Sequence, residues 1–265
     1  MYRKHFGLTR HPFEKNLSPE DLFESAAGAE LVARIEHLLE LRGIGLITGE
    51  PGSGKTTLLR KVCSSLHDGL YRVFYVPLST GNVMDLYKTI AWELGLPTER
   101  SRAALYKVIQ AEVSRLCQEA RTRPVLVIDE AHHLRSEVLE ELRLLTNFQM
   151  DSENRLCLLL VGQTELRRRL SMAVHEALSQ RIVVRHHLVG LTREELEGYL
   201  VHLLRLAGAE VPLFAPSALE AIHQATSGLP RKVNLLAHHT LTAAALEGAK
   251  TATPEHVAAA MPEVT

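Results

Sequence analysis

Residues 44–56 read Ile44-Gly45-Leu46-Ile47-Thr48-Gly49-Glu50-Pro51-Gly52-Ser53-Gly54-Lys55-Thr56. An apolar run of strand length enters a glycine-rich turn, and a helical pattern leaves it at Lys55. The turn fits G-x-x-x-x-G-K-[ST] in the strand–turn–helix setting that the pattern requires. Glycines let the main chain wrap closely around phosphate and present N–H groups at a helix start, where anions are favoured. The nucleotide cradle read from this stretch is Gly49, Pro51, Gly52, Ser53, Gly54, Lys55, Thr56 and Thr57. Lys55 pairs with the β- and γ-phosphates, and the Thr56 hydroxyl faces Mg²⁺. ATP with Mg²⁺ is the expected cofactor set.

Outward from the turn, short apolar runs recur at Tyr71–Pro77, Val125–Asp129, Leu156–Val161 and Ile182–Leu188. Helical periods lie at about 29–41, 55–67, 82–94, 101–121, 136–149 and 164–180. Strand–helix alternation predicts an α/β fold, a parallel sheet with helices on both faces. All five runs lack polar alternation, as strands buried on both faces do. After Gly190 the strand pattern stops. Thr192 and Glu195 form a capping box, Ser217 and Glu220 repeat that signal, and Pro254 follows Thr253 at a first helical turn. The predicted organisation is an N-terminal strap and helix belonging to the core (1–42), an α/β domain (43–189) and a small helical domain (190–265).

The run Val125-Leu126-Val127-Ile128-Asp129-Glu130 ends a strand in two acids. In a parallel sheet that places both carboxylates at the carboxyl edge, where ligands bind. Asp129 is expected to hold Mg²⁺ through water, and Glu130 to orient or deprotonate the attacking water. A phosphotransferase acting on a small substrate rarely needs the second acid, so the pair argues for nucleotide hydrolysis.

Composition bounds the partners. The 265 residues carry 30 Lys+Arg against 31 Asp+Glu, a net charge of −1, which excludes a small module that only grips nucleic acid. Any such grip is local or summed over assembled copies. Hydrophobic residues make up 46%, which excludes a disordered chain. Cys63, Cys117 and Cys157 form no metal spacing and no disulfide framework, so a reducing cytoplasm is the expected compartment. No apolar run approaches the ~20 residues of a membrane span, and no signal peptide or membrane partner is expected.

The layout of phosphate loop, Asp-Glu strand end, further strands and helical lid resembles the AAA+ ATPases. That resemblance implies the sheet order 5-1-4-3-2 and three further site residues. Gln163, after the strand Leu156–Val161, matches the polar sensor 1, with Thr164 second; the plainer reading is a strand-to-helix turn with Thr164 as N-cap. Arg181, in Ala177-Leu178-Ser179-Gln180-Arg181, matches an arginine finger that reaches the γ-phosphate of a neighbouring subunit. Arg167, Arg168 and Arg169 form the rival cluster, which could instead contact nucleic-acid phosphate. Ser227-Gly228-Leu229-Pro230-Arg231 resembles the sensor 2 signature, with Arg231 in the first turn of a helix that Pro230 starts. The adjacent pairs His132–His133, His186–His187 and His238–His239 lack the i, i+4 spacing of a helical metal site and are read as surface or supporting residues.

Tyr2, Phe6-Gly7-Leu8 and Pro12-Phe13 resemble the opening of ExeA-type ATPases, which include secretion and pilus-assembly ATPases and helpers encoded beside transposases. The plainer reading of these aromatics is a strap packed on the sheet domain. The secretion members carry a membrane span and a peptidoglycan-binding domain after the ATPase core. The sequence shows neither, so the expected function is that of transposition helpers such as TnsC, IstB and Mu B. These assemble with ATP on duplex DNA as rings or filaments, recruit transposase, and disassemble on hydrolysis. The resemblance places phosphate contacts at Thr80, Asn82, Lys88, Arg100, Arg102 and Lys107, with homo-oligomer formation supplying Arg181 in trans. The alternative is an assembly ATPase for secretion or pili, without DNA.

Overall fold

The computed structural model describes residues 2–14, 16–77 and 82–264. In chain order the helices and strands are α1 (Tyr2–His5), α2 (Ala26–Leu41), β1 (Ile44–Gly49), α3 (Lys55–Ser65), β2 (Tyr71–Val76), α4 (Val83–Glu93), α5 (Arg102–Gln118), β3 (Arg123–Ile128), α6 (Ser136–Leu145), β4 (Cys157–Gly162), α7 (Thr164–Leu170), α8 (Glu176–Arg181), β5 (Ile182–Leu188), α9 (Arg193–Leu206), α10 (Pro216–Thr226), α11 (Pro230–Leu246) and α12 (Pro254–Ala260).

The five strands form one sheet in the order β2-β3-β4-β1-β5, the order that the resemblance implies. Every pairing is parallel, with Leu46 opposite Leu160 and Leu126 opposite Leu158. The inner strands β1 and β4 are buried at every position, and β3 at all but its first. The expectation of burial on both faces fails at the two edges. In β5 buried and open residues alternate, with Val183 55% exposed, and in β2 only Phe74 and Val76 are buried. An edge strand has a partner on one side only, so its outer positions meet water. The sheet packs against Leu86, Tyr87 and Ile90 of α4, Leu105 and Ile109 of α5, and Leu139 and Leu142 of α6. Each such side chain contributes about 1.5–3 kcal/mol on burial.

Two expected helices stop early for the same reason. The period over 136–149 ends at Leu145, where the Thr146 hydroxyl donates to the Arg143 carbonyl at 2.8 Å. The period over 164–180 breaks after Leu170, where the Ser171 hydroxyl donates to the Arg168 carbonyl at 2.7 Å. A hydroxyl that takes a carbonyl three residues back competes with helix continuation. The chain then makes a 3-10 turn at Ala173–His175 and resumes as α8.

The chain divides into two compact units. Glu30–Pro51 and Lys55–Leu188 make one; the residues up to Ala29, Gly52–Gly54 and the chain from Val189 onward make the other. In the second, Leu196, Leu200 and Leu204 of α9 pack with Leu219 and Ile222 of α10, Leu236 and Leu241 of α11 and Val257 of α12. The Thr192–Glu195 capping box forms as read, with Glu195 N–H donating to Thr192 Oγ1 at 3.2 Å and Thr192 N–H to Glu195 Oε2 at 2.9 Å. Ser217 is not a cap: Pro216 takes the first helical position, which moves the cap to Ala215. The N-terminal strap also differs from expectation. It packs on the C-terminal helices, with Tyr2 and Leu8 in their apolar cluster, Thr9 N–H donating to Ala207 O at 2.8 Å, and Arg10 Nε to Leu206 O at 3.0 Å.

Among the described residues, no helix is long and apolar enough to cross a membrane. The three cysteines are free thiols. Trp92 on α4 is 78% exposed.

Gly228 ends the turn before α11 at φ +67°, and a Cβ there would stand 2.0 Å from Leu191 O. Gly228→Ala should therefore destabilise the helical unit by about 2–4 kcal/mol, combining backbone strain with overpacking. Gly248 has φ +72° and open space around it, so Gly248→Ala should cost only about 1–2 kcal/mol. Urea midpoints of the two variants check this ranking.

Candidate active site

The loop between β1 and α3 takes its shape from Gly52 at φ +81° and Gly54 at φ +99°, conformations that side chains strain. A Cβ on Gly52 would also lie 2.6 Å from Arg231 Cβ. Lys55 begins α3 and is buried, its ammonium donating to the carbonyls of Gly49 and Glu50 at 2.9 Å each. A buried cation resting on carbonyl oxygens is one that an anion in the loop can draw away. Ser53 is buried beside it, while Pro51, Thr56 and Thr57 face outward.

At the carboxyl edge of β3, Asp129 is 4% exposed and receives three donors. Thr56 Oγ1 and Tyr75 OH donate to Oδ2 at 2.9 and 2.7 Å, and Glu130 N–H donates to Oδ1 at 2.8 Å. Burial, the bond to Asp129 and the nearby charges push the Tyr75 phenol well above its ordinary value, so it stays a donor. Two hydroxyl oxygens and one backbone N–H reach the carboxylate, and the Thr56 hydroxyl together with the Asp129 oxygens offers the oxygen donors suited to a hard divalent cation. Glu130 has φ +53° and a half-exposed side chain. Its carboxylate lies 3.4 Å from Nδ1 of buried His132. Burial, and then the neighbouring His133, lower the His132 pKa.

Gln163 is the N-cap residue of α7, so the reading of Thr164 as N-cap is corrected by one position. Gln163 N–H donates to His132 Nδ1 at 3.4 Å, and Thr164 Oγ1 donates to Glu50 Oε1 at 2.7 Å. The start of α7 is thereby linked both to the phosphate loop and to the turn after Glu130. Within the rival cluster, Arg169 is committed to the carbonyls of His132 and Leu134 at 2.7 and 2.6 Å, while Arg167 and Arg168 are exposed.

Arg181 stands apart from this group. Its guanidinium pairs with Asp151 and reaches Arg143 O at 3.4 Å. Arg231 is exposed, and its backbone N–H donates to Gly52 O at 3.2 Å. Of the residues read as DNA contacts, Lys88, Arg100 and Lys107 are exposed. Asn82 caps α4, its Oδ1 accepting from Asp85 N–H at 2.9 Å. Arg102 pairs with Glu141, which also accepts from Tyr87 OH at 2.5 Å, so its cation is already partnered. Thr80 lies outside the described residues.

Sequence reading missed Tyr75 and Glu50, and it took His132 only as a surface or supporting residue. A tyrosine within an apolar strand reads as sheet filler, and only the side-by-side register of β2 and β3 brings it to Asp129.

The profile of the AAA domain matches residues 37–170. General secretion pathway protein A of Aeromonas hydrophila is 34% identical over 251 residues, 94% of this chain and 46% of that protein. ATP-dependent target DNA activator B of Escherichia phage Mu is 32% identical over 103 residues, 38% of this chain and 30% of that protein. This chain thus spans less than half the length of these curated relatives. Among solved structures, Cdc6p from Pyrobaculum aerophilum superposes with a TM-score of 0.71 at 21% identity, covering 96% of this chain and 70% of that one. The chain belongs to the AAA+ ATPases, in the group that includes ExeA-type and transposition-helper proteins.

Proposed function

We propose that the chain binds ATP with Mg²⁺, hydrolyses it, and uses the cycle to assemble on duplex DNA and recruit transposase to a target. The observation that carries the chemistry is the convergence of Thr56, Tyr75 and the Glu130 N–H on the Asp129 carboxylate beside Lys55. Mg²⁺, held by Thr56 and Asp129, supplies neutralisation of charge on the phosphate oxygens. Lys55 exchanges its loop carbonyls for the β- and γ-phosphates. Glu130 orients water and accepts its proton, and Gln163 reports the γ-phosphate to the turn that carries Glu130. Arg231 adds a cation beside the loop residues with which it is grouped. Arg181 acts in trans once a neighbouring subunit displaces Asp151, a half-exposed partner whose pairing is worth only about 0–1 kcal/mol.

The DNA half of this reading is supported by the likeness to the phage Mu protein, whose name states an ATP-dependent action on target DNA. Exposed Lys88, Arg100 and Lys107 supply a few phosphate contacts per subunit, which an assembly sums. Free thiols fit a cytoplasmic setting. A second reading, an assembly ATPase of a secretion or pilus machine with a protein partner, is favoured by the secretion relative's alignment along 94% of the chain.

Three outcomes follow from these roles. Glu130→Gln should keep ATP affinity while turnover falls by about 10²–10⁴-fold, whereas Lys55→Ala should lose binding itself; nucleotide binding and phosphate release measured together distinguish them, and near-normal turnover in the glutamine variant overturns the assignment. Tyr75→Phe removes one donor from Asp129 and should lower turnover by roughly 3–10-fold, with a raised Mg²⁺ requirement, on the scale of one hydrogen bond of about 1 kcal/mol. Electron microscopy with a slowly hydrolysed ATP analogue should show rings or filaments that need duplex DNA and dissolve with salt. DNA-independent assemblies, or no DNA binding at low salt, favour the secretion reading instead.

A further inference from the structure

Glu130, His132 and His133 offer one carboxylate oxygen and two imidazole nitrogens that all lie within 4.8 Å of one another. Adjacent histidines diverge on a regular helix or strand. Here the left-handed Glu130 turns the chain into the 3-10 turn Ala131–His133, which brings the three side chains to one place. His132 Nδ1 lies 3.4 Å from Glu130 Oε2. Two ligands held at about 2.0–2.1 Å by one tetrahedral Zn²⁺ stand about 3.3–3.4 Å apart, so this pair already has the required separation, and the ion takes over the Nδ1 lone pair that otherwise accepts the long 3.4 Å bond from Gln163 N–H. The imidazoles lie 4.0 Å apart between centroids. His133 is exposed and Glu130 half-exposed, which gives an ion entry and lets two of the three ligands adjust. His132 is the fixed member: it is 7% exposed, and Arg169 holds the carbonyls of His132 and Leu134.

We propose that Glu130, His132 and His133 form a site for a divalent transition-metal ion of the Zn²⁺ class, and that its occupancy switches off ATP hydrolysis. Two imidazoles and one carboxylate suit Zn²⁺ or Co²⁺, while Mg²⁺ prefers oxygen ligands throughout. Three protein ligands leave a fourth position for water. The bound ion takes the Glu130 carboxylate away from the water that it would orient. That inhibitory half rests on the proposed role of Glu130; the binding half does not.

The test separates the two. Co²⁺ titrated into the nucleotide-free protein should give the visible absorption of a tetrahedral ion, and His133→Ala should lose it. Zn²⁺ added to wild type turning over Mg–ATP should lower the rate on the order of a hundredfold, the scale of losing a general base. His133→Ala should keep its metal-free rate under the same Zn²⁺. Equal inhibition of wild type and His133→Ala would mean that Zn²⁺ acts at Thr56 and Asp129, and would overturn the proposal. Absence of a tetrahedral Co²⁺ spectrum would overturn it as well. Full turnover in Glu130→Gln would remove the ATPase role of that residue while leaving the Co²⁺ spectrum to decide the metal site.

Discussion

The Asp129 carboxylate is the point on which the site depends. It sits where β3 ends, out of water, and an isolated buried carboxylate would be strongly unfavourable. Its oxygens are satisfied by the first turn of α3, by an edge strand and by the backbone of the next residue. Each donor belongs to a different segment, so the carboxylate is also a gauge of their alignment. Removing any one leaves a buried acceptor short of a partner, which costs more than the bond itself contributes.

The parallel sheet makes that convergence possible. With every strand running the same way, β1, β3 and β4 deliver Gly49, Asp129 and Gln163 to one edge. The connections add the finer placement. Thr164 anchors Glu50 of the phosphate loop, and His132 touches both the Glu130 carboxylate and the start of α7. Gln163 and His132 therefore form a short physical path from the start of α7 to Glu130, the residue proposed to orient water.

Much of this was legible in the residues. The phosphate loop and the Asp-Glu strand end rest on local patterns of glycine punctuation, apolar runs and helical period, while the sheet order is what the AAA+ resemblance implies. What escaped were features fixed by neighbours distant in sequence. Tyr75 acquires its role from the register of β2 against β3. Arg72 in β2 and Arg185 in β5 are edge signals within runs read as apolar, and both are exposed. The strap's aromatics point to burial but do not name the surface that buries them. Ser217 and Thr164 show a subtler limit, since cap chemistry tells which residue types end a helix while a neighbouring proline or a one-residue shift decides the position.

The open indole of Trp92 has a practical consequence. It is the chain's one tryptophan, and it stands in water on α4, one helical turn from exposed Lys88. Ultraviolet emission from this protein is therefore dominated by a single site on the helix that carries the proposed phosphate contact. Anything that covers α4 will shift that emission to shorter wavelength, and anything that docks elsewhere will leave it red. The molecule carries its own reporter for whatever covers α4.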